Sequence, residues 1–592
     1  MCSIIGYNGQ LSVAPLLVDS LKRMEYRGYD SAGIATIDNG KIILKKGVGK
    51  VLEVDSTVGL KSMGGCTGIG HTRWATHGGV SKKNAHPHYS CTDNIAIVHN
   101  GIIENHNELK KELTELGHVF RSDTDSEVIA HLLETYYDQE KDLKKSIIKT
   151  CDRLKGAYAF VAAFKDGTLC GSRFNEPLII GVTDSGNFLS SDILGFIKFT
   201  DKAIFLENKD IVILEEKNYQ VFDSEGEHVE RAPTQVAWEL AAIDKGKYTH
   251  HTLKEIHEQP RILEELGISS LDKIEEFCTA LRNSKTVFLT GSGTSYHCAL
   301  VAKHLLSNFG KIHAETTMSS EFQYTIAGVD DSSVILAFSQ SGETADVLQA
   351  VKAAKQKGAK VLSIVNIPTS SLARLSDMFL TTECGPEVGV AATKSFTAQL
   401  SLIYMIADRL CNGNTGFNAN KSRLSEMLYE VLDIENEIHK FAENLREARD
   451  IYVLGRSIHY PIALEGALKI KELSYIHAEG IAAGELKHGP LALIDRDSYV
   501  IVLNPNDSTF EQNIASAYEI KARGATIIGI SNLSNEVYDI FIKIPTIPLI
   551  EWNAVYPIIE VLPLQILAYY LSLVKNIDPD YPRNLAKSVT VI

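Results

Sequence analysis

The C-terminal half of this chain repeats itself, and that repeat limits its architecture more than any other feature. Residues 286–296 (TVFLTGSGTSY) align with 450–460 (DIYVLGRSIHY), placing Gly291 on Gly455. Residues 334–344 (VILAFSQSGET) align with 500–509 (VIVLNPNDST) with one gap, and 358–366 (GAKVLSIVN) with 524–532 (GATIIGISN). The copies lie about 165 residues apart, whereas solenoid repeats recur every ~20–50 residues, so two domains of one type are expected. Each copy alternates short β-branched apolar runs with helical stretches. That is the pattern of a doubly wound parallel sheet with helices on both faces. Ligands of such sheets sit at the carboxyl ends of the strands.

The two copies differ at those strand ends. The first carries Ser292, Thr294 and Ser295 after one strand, and Ser339, Gln340, Ser341 and Thr344 after another. Hydroxyls and backbone N–H groups at helix N-termini can cradle a phosphate without a cation. The same residues also read as ordinary N-caps. The second copy has Gly455-Arg456-Ser457 and Asn504-Pro505-Asn506-Asp507 instead, a degraded cradle. Residues 461–490 (PIALEGALKIKELSYIHAEGIAAGELKHGP) begin as a helix started by Pro461. Glu465 and Lys469 are spaced i, i+4 and Glu472 follows at i+3, so the three share one face. Flanking Ile462, Leu464, Ala467, Leu468, Ile470 and Leu473 predict a partly dry pocket. Desolvation there would lower the lysine pKa, and an amine beside carboxylates suits carbonyl chemistry. A solvated Glu–Lys pair is the alternative. His488 follows in a glycine-bounded loop, GELKHGP.

At 592 residues the chain is too long for one core and predicts roughly three to five domains. The N-terminal region opens MCSIIGYNG. Removal of Met1 would leave Cys2 with a thiol and a free α-amine, whose usual pKa of about 7.7–8.0 makes it a base at neutral pH. One residue would then supply nucleophile and base, although a cysteine at position 2 proves nothing by itself. Further polar segments follow: YRGYDS (26–31), HTRWATHGG (71–79) with Arg73, Trp74, Thr76 and His77, and a short strand 95–98 followed by a turn at His99-Asn100-Gly101. Asn100 and Gly101 can offer an amide and a backbone N–H to an oxyanion. SDTDSE (122–127), which holds Asp125, predicts a cap before a helix over 128–137.

His71, His77, His86, His88 and His99 have spacings that match no standard zinc site, so no metal is expected. Nine cysteines occur singly with no CxxC, which points to a reducing cytoplasm and no disulfides. A net charge of −15 without a basic block argues against nucleic acid. No apolar run of membrane-span length and no signal peptide are read, so no membrane partner is expected. The polar stretch 240–251 reads as a linker.

The N-terminal cysteine with HTRWATHG, HNGIIENH and SDTDSE resembles the class II glutamine amidotransferase domain of the N-terminal-nucleophile (Ntn) hydrolases. The resemblance implies a four-layer αββα sandwich that hydrolyses the side-chain amide of glutamine. It makes Cys2 the nucleophile, Asn100 and Gly101 the oxyanion hole, Arg73 the partner of the glutamine carboxylate and Asp125 that of its α-amine. Thr76 and His77 would line the pocket, and the YRGYDS loop would close it. The second half resembles the sugar isomerase (SIS) fold. With EVGVAATKSFT and the tail PRNLAKSVTV, the whole chain resembles the glutamine-dependent fructose 6-phosphate aminotransferases.

That second resemblance implies fructose 6-phosphate as partner of the hydroxyl cradle (Ser292, Thr294, Ser295, Ser339, Gln340, Ser341 and Thr344) and no cofactor. It implies Lys587 as the Schiff-base lysine, Glu472 as the proton shuttle between C1 and C2, and Lys469 and Glu465 as its assistants. His488 would open the sugar ring from a neighbouring subunit, which implies a homodimer. Trp74 would gate an apolar path for ammonia. The domains are read as 2–239, a linker 240–251, 252–425, 426–580 and a catalytic tail 581–592. One departure is Ala392 in VAAT (390–393), where bacterial members often have serine. A phosphosugar deglycase or isomerase with a vestigial amidotransferase domain is the alternative enzyme; intact Cys2, Arg73, Asn100 and Asp125 weigh against it. A phosphosugar-sensing module would not need Glu472, Lys469 and Lys587 together.

Overall fold

The computed structural model describes residues 2–216, 218–236, 244–267, 270–413, 415–547 and 554–590. It divides into two compact units: unit 1, residues 1–242 with 588–592, and unit 2, residues 243–587. Of the expected 240–251 linker, residues 240–243 lie outside the described residues, and the first helix of unit 2 starts at its end, His251–Glu265.

Unit 1 is built on two antiparallel sheets. The eight-stranded sheet runs, edge to edge, Thr234–Gln235, Lys202–Phe205, Ile179–Thr183, Gly186–Ser190, Ser3–Gly9, Thr67–Arg73, Ser31–Asp38, Lys41–Val48. The six-stranded sheet runs Tyr219–Phe222, Ile211–Leu214, Leu169–Phe174, Gly156–Phe164, Ile95–Ile103, His88–Tyr89. Alternation along each strand sets the layers. Ile95 and Ile97 join the core under the helices Glu127–Glu140 and Leu143–Arg153, while Ala96 and Val98 face the other sheet with Ile4 and Ile69. Helices Val13–Arg23 and Val51–Val58 pack on the eight-stranded sheet, completing the αββα layering.

Three local expectations change. The strand does not turn at His99-Asn100-Gly101 but continues to Ile103, because Gly156–Phe164 pairs along its whole length, with Asn100 opposite Ala159 and Gly101 opposite Tyr158. The helix predicted over 128–137 spans Glu127–Glu140, and the hydroxyl of its N-cap Ser126 meets His99 Nδ1 at 2.8 Å rather than capping a helix N–H. Instead the Glu127 carboxylate accepts the Arg121 and Ser122 N–H groups, each at 2.7 Å. Finally, Tyr556–Val574 is long and apolar enough to cross a membrane, contrary to the reading that no such run exists. In this structure it is a core helix of unit 2, carrying fully buried Glu560 and Gln565.

Unit 2 contains two parallel sheets of the same topology. One runs Ala314–Met318, Thr286–Gly291, Ser333–Ser339, Lys360–Val365, Met378–Thr381; the other runs His477–Ala482, Asp450–Gly455, Tyr499–Leu503, Thr526–Ser531, Ile540–Lys543. Each repeated glycine, Gly291 and Gly455, ends the second strand of its sheet. The central strand Ser333–Ser339 is buried throughout, as a sheet covered on both faces requires.

Helix Tyr460–Ser474 is wedged between the edge strand His477–Ala482 and helix Tyr556–Val574. Gly480 permits the first approach: a Cβ there would lie 2.6 Å from Leu464 Cα and 2.7 Å from its nitrogen. Gly480→Ala is expected to push this helix outward and cost about 1–3 kcal/mol, as overpacking does. A differential scanning calorimetry midpoint for unit 2 equal to that of the parent would contradict this close packing.

Candidate active sites

Strand parity assembles the unit 1 site. Cys2 lies two residues before Ile4, and His71 and Arg73 lie two and four after Ile69, so all three point between the sheets. Asn100 follows Ala96 and Val98 with the same parity from the opposite sheet. The four meet at one end of the sandwich. The Trp74 N–H donates to Cys2 Sγ at 3.2 Å, and Asn100 Nδ2 donates to the Cys2 carbonyl at 3.1 Å. Burial pushes the Cys2 thiol up.

His71 Nε2 faces two acceptors, the His99 carbonyl at 3.0 Å and Asn100 Oδ1 at 3.2 Å, so Nε2 carries the proton. Burial lowers the His71 pKa to about 3, which keeps the ring neutral. This bond directs the Asn100 NH2 toward Cys2, a positioning role the sequence did not disclose. Gly101 follows at φ +111, where a Cβ would sit 2.0 Å from the Ala157 carbonyl oxygen, so only glycine fits.

Arg73 Nη2 donates to the carbonyls of His77 and Gly78 at 2.5 and 3.0 Å, shaping the loop that carries exposed Thr76 and half-buried His77. Asp125 is buried and accepts the Ile103 N–H at 2.8 Å. Tyr29, from YRGYDS, packs edge-on to Trp74 with ring centroids 5.8 Å apart, and Asp30 accepts the Ala75 N–H at 2.9 Å.

In unit 2, the hydroxyl turns stand at the N-termini of helices Thr294–Leu305 and Ala345–Gln356, which follow adjacent strands of the first sheet. Ser292 Oγ meets Ser319 Oγ at 2.5 Å, Ser339 Oγ accepts the Gly342 N–H at 3.0 Å and lies 3.4 Å from Thr344 Oγ1, and Ser341 Oγ accepts the Glu343 N–H at 3.2 Å. Gln399 Nε2 donates to Ser295 Oγ at 3.3 Å. Gln340 is half-buried in the second turn.

Thr294 joins this cradle to helix Tyr460–Ser474. Its hydroxyl donates to Glu465 Oε1 at 3.1 Å and accepts from Lys469 Nζ at 3.1 Å. Lys469 Nζ lies 2.5 Å from Glu472 Oε2 and 3.5 Å from Glu465 Oε1, and His297 Nδ1 meets Glu465 Oε2 at 2.7 Å. Glu465 and Lys469 are fully buried. The expected lowering of the lysine pKa is corrected. Burial does disfavour the ammonium, but Glu465, Glu472 and Glu387 outweigh it and raise the pKa.

The Lys587 side chain is buried and paired with Glu387 at 2.6 Å. Burial alone would raise the Glu387 carboxyl, but Lys587 and the N–H and hydroxyl of Ser395 bring it down to about 2. Its like-charged neighbour Glu255 is raised to about 7 by burial first and by Glu387 second. Sequence reasoning missed both acids. Glu387 lies in EVGVAATKSFT, where it also accepts the Thr393 N–H at 3.0 Å, while Ala392 is half-buried nearby in the chain. His488 is exposed in a short helical turn, Leu486–His488, and the contacts above do not include it.

At the corresponding ends of the second sheet, a salt-bridge cluster replaces the cradle. His459 meets Asp507 at 2.8 Å and Glu560 at 2.7 Å. Asp507 belongs to the degraded NPND turn and would repel an anion.

Comparison with known proteins matches residues 71–196 to a glutamine amidotransferase domain, and residues 280–409 and 444–575 to the SIS domain. Over the full length of both chains, the sequence is 44% identical to a glutamine–fructose-6-phosphate aminotransferase (isomerizing) of Pyrococcus horikoshii, and 41% identical to one of Aquifex aeolicus. Among solved structures, the C-terminal domain of glucosamine-fructose-6-phosphate aminotransferase from Francisella tularensis superposes with a TM-score of 0.52 at 33% identity, covering 57% of this chain and all of that one.

The His459 cluster predicts a pH dependence. Burial disfavours the imidazolium, but Glu560 and Asp507 hold it and raise its pKa from 6.5 to about 10. A pKa raised in the folded state adds stability that is fully present below about 6.5 and lost as pH rises to about 10. The thermal midpoint of the parent is therefore expected to exceed that of His459→Gln most at pH 6, with the gap shrinking by pH 10. A gap that stays constant or widens would contradict the charged cluster.

Proposed function

We propose residue roles from one premise: the chain belongs to the glutamine–fructose-6-phosphate aminotransferase family and converts glutamine and fructose 6-phosphate into glutamate and glucosamine 6-phosphate. The observation that carries the reading is the buried Lys469 ammonium, held between Glu465 and Glu472 and bound to Thr294 of the hydroxyl cradle.

In unit 1, Cys2 attacks the glutamine amide carbon. With Met1 removed, its α-amine takes the thiol proton and passes it to the leaving ammonia. Asn100 Nδ2, aimed by His71, and the Gly101 N–H receive the oxyanion. Water then hydrolyses the thioester to release glutamate. Arg73 and Asp125 hold the two ends of the amino acid, Thr76 and His77 line its pocket, and Trp74 with Tyr29 covers it and gates the exit of ammonia.

In unit 2, Ser292, Thr294, Ser295, Ser339, Gln340, Ser341 and Thr344 hold the sugar phosphate at two helix N-termini. Lys587 adds to C2 of the open-chain sugar, and loss of water gives the imine. Ammonia displaces the lysine from C2. Glu472 then takes a proton from C1 to give the enaminol and returns it to C2, while the O1 hydroxyl proton passes to the nitrogen, so the ketimine becomes the amino aldose. Lys469, kept as ammonium by its carboxylates, neutralises charge that develops during this transfer, with Glu465 positioning it. Lys587 rather than Lys469 takes the nucleophilic role because it occupies the position of the family's Schiff-base lysine in the tail, and its proton can pass to its partner Glu387 before it adds to the sugar.

His488 opens the sugar ring from the second subunit of a homodimer, which suits its exposure in a single chain. The domain limits 2–239, 252–425, 426–580 and 581–592 form part of the same reading. A cytoplasmic location and a role at the entry to amino-sugar synthesis accompany it.

Two outcomes test this assignment. Cys2→Ala is expected to abolish glutamine-dependent synthesis while retaining fructose 6-phosphate binding; retained synthesis would refute the nucleophile. Borohydride in the presence of fructose 6-phosphate is expected to label Lys587, and Lys587→Arg to bind the sugar without forming an adduct, since guanidinium stays protonated. A peptide map placing the adduct on Lys469 would reverse the two lysines.

A further inference from the structure

Unit 1 contains a second cluster of ligating side chains, away from those that surround Cys2. Cys91 lies between the strands His88–Tyr89 and Ile95–Ile103, and His118 follows the helix His106–Glu115. His131 and Glu134 lie at i and i+3 on the helix Glu127–Glu140 and are buried. Cys91 Sγ is 3.4 Å from His118 Nδ1 and 3.6 Å from His131 Nδ1, and His118 Nδ1 is 3.6 Å from Glu134 Oε2. All four ligand atoms fall within 4.8 Å of one another.

The three separations of 3.4–3.6 Å match the edges of a tetrahedral site. With zinc bonds of about 2.3 Å to sulfur and about 2.0–2.1 Å to nitrogen and oxygen, ligand atoms at the corners stand about 3.3–3.6 Å apart. The surroundings fit as well. His131 Nε2 faces the Glu127 carboxylate at 3.5 Å, and His118 Nε2 meets Thr135 Oγ1 at 2.8 Å, so each ring turns its other nitrogen, Nδ1, toward the centre. The Val119 N–H donates to Cys91 Sγ at 3.3 Å. A thiol has one proton and can donate to only one of the two Nδ1 atoms that face it, whereas a cation accepts lone pairs from the sulfur and from both rings.

We propose that Cys91, His118, His131 and Glu134 bind a zinc ion in unit 1. Four protein ligands close the site, which makes it structural. It ties the turn at Cys91 and the loop at His118 to the helix that begins just after Asp125. The histidines whose spacing excluded zinc, His71, His77, His86, His88 and His99, are not among the ligands. The four residues here are scattered over 91–134 and are gathered only by the fold.

The full-length protein, purified without chelator and passed through gel filtration with added zinc, is expected to carry about one zinc per chain by mass spectrometry. Cys91→Ser and His131→Gln are expected to carry less than a tenth of that. Cobalt in place of zinc is expected to give a near-ultraviolet thiolate charge-transfer band that Cys91→Ser lacks. Because the variants can fail to fold, the parent is also treated with EDTA; its thermal midpoint is expected to fall and to recover with zinc. Parent protein that retains no zinc after gel filtration, or that holds as much as both variants, overturns the proposal.

Discussion

An ammonium group cannot be carried into a protein interior without compensation, and Lys469 shows how this fold meets that constraint. Removing a charge from water costs several kcal/mol unless partners replace the lost hydration. Here the partners come from two directions. Glu465 and Glu472 share the helix face with the lysine, and Thr294 arrives from the first sheet's helix N-terminus. The same hydroxyl that stands in the proposed phosphate cradle therefore also satisfies the buried charge. Deleting either carboxylate would leave the ammonium underpaired, so the charge cluster and the seam between the two sheets stand or fall together.

The divergence of the two repeats follows the same electrostatics. At the first sheet, hydroxyls and N–H groups surround the strand ends. At the second, Asp507 already supplies the anion, and His459 with Glu560 completes a buried cluster. One copy thus keeps the hydroxyl turns, and the other contributes the helix that carries Glu465, Lys469 and Glu472. The unit 1 site is organised by strand parity instead. Cys2, His71, Arg73 and Asn100 share the inward parity of residues that form the core between the sheets, Ile4, Ile69, Ala96 and Val98.

Much of this was legible in the sequence because it depends on local pattern. The repeat gave two like sheets, and the i, i+4 and i+3 spacing placed three charges on one helix face. What depended on distant neighbours was not legible. Isolated from its partners, Lys469 reads as a depressed amine; with three carboxylates it is an ammonium. Asn100 and Gly101 look like a turn until the strand Gly156–Phe164 pairs across them. Glu387 and Glu255 carry no spacing signal, since Lys587 meets the first only after the chain has returned 200 residues. The apolar run Tyr556–Val574 has the composition of a membrane span, and only its packing identifies it as a core helix.

The central claim is that one chain joins glutamine hydrolysis to amination of a phosphosugar. Supplying glutamine labelled with nitrogen-15 at the side-chain amide, together with fructose 6-phosphate and an excess of unlabelled ammonium, tests it directly. The account predicts glucosamine 6-phosphate whose amino nitrogen keeps the label nearly undiluted. Unlabelled amino sugar, or glutamate released without any amino sugar, would contradict it.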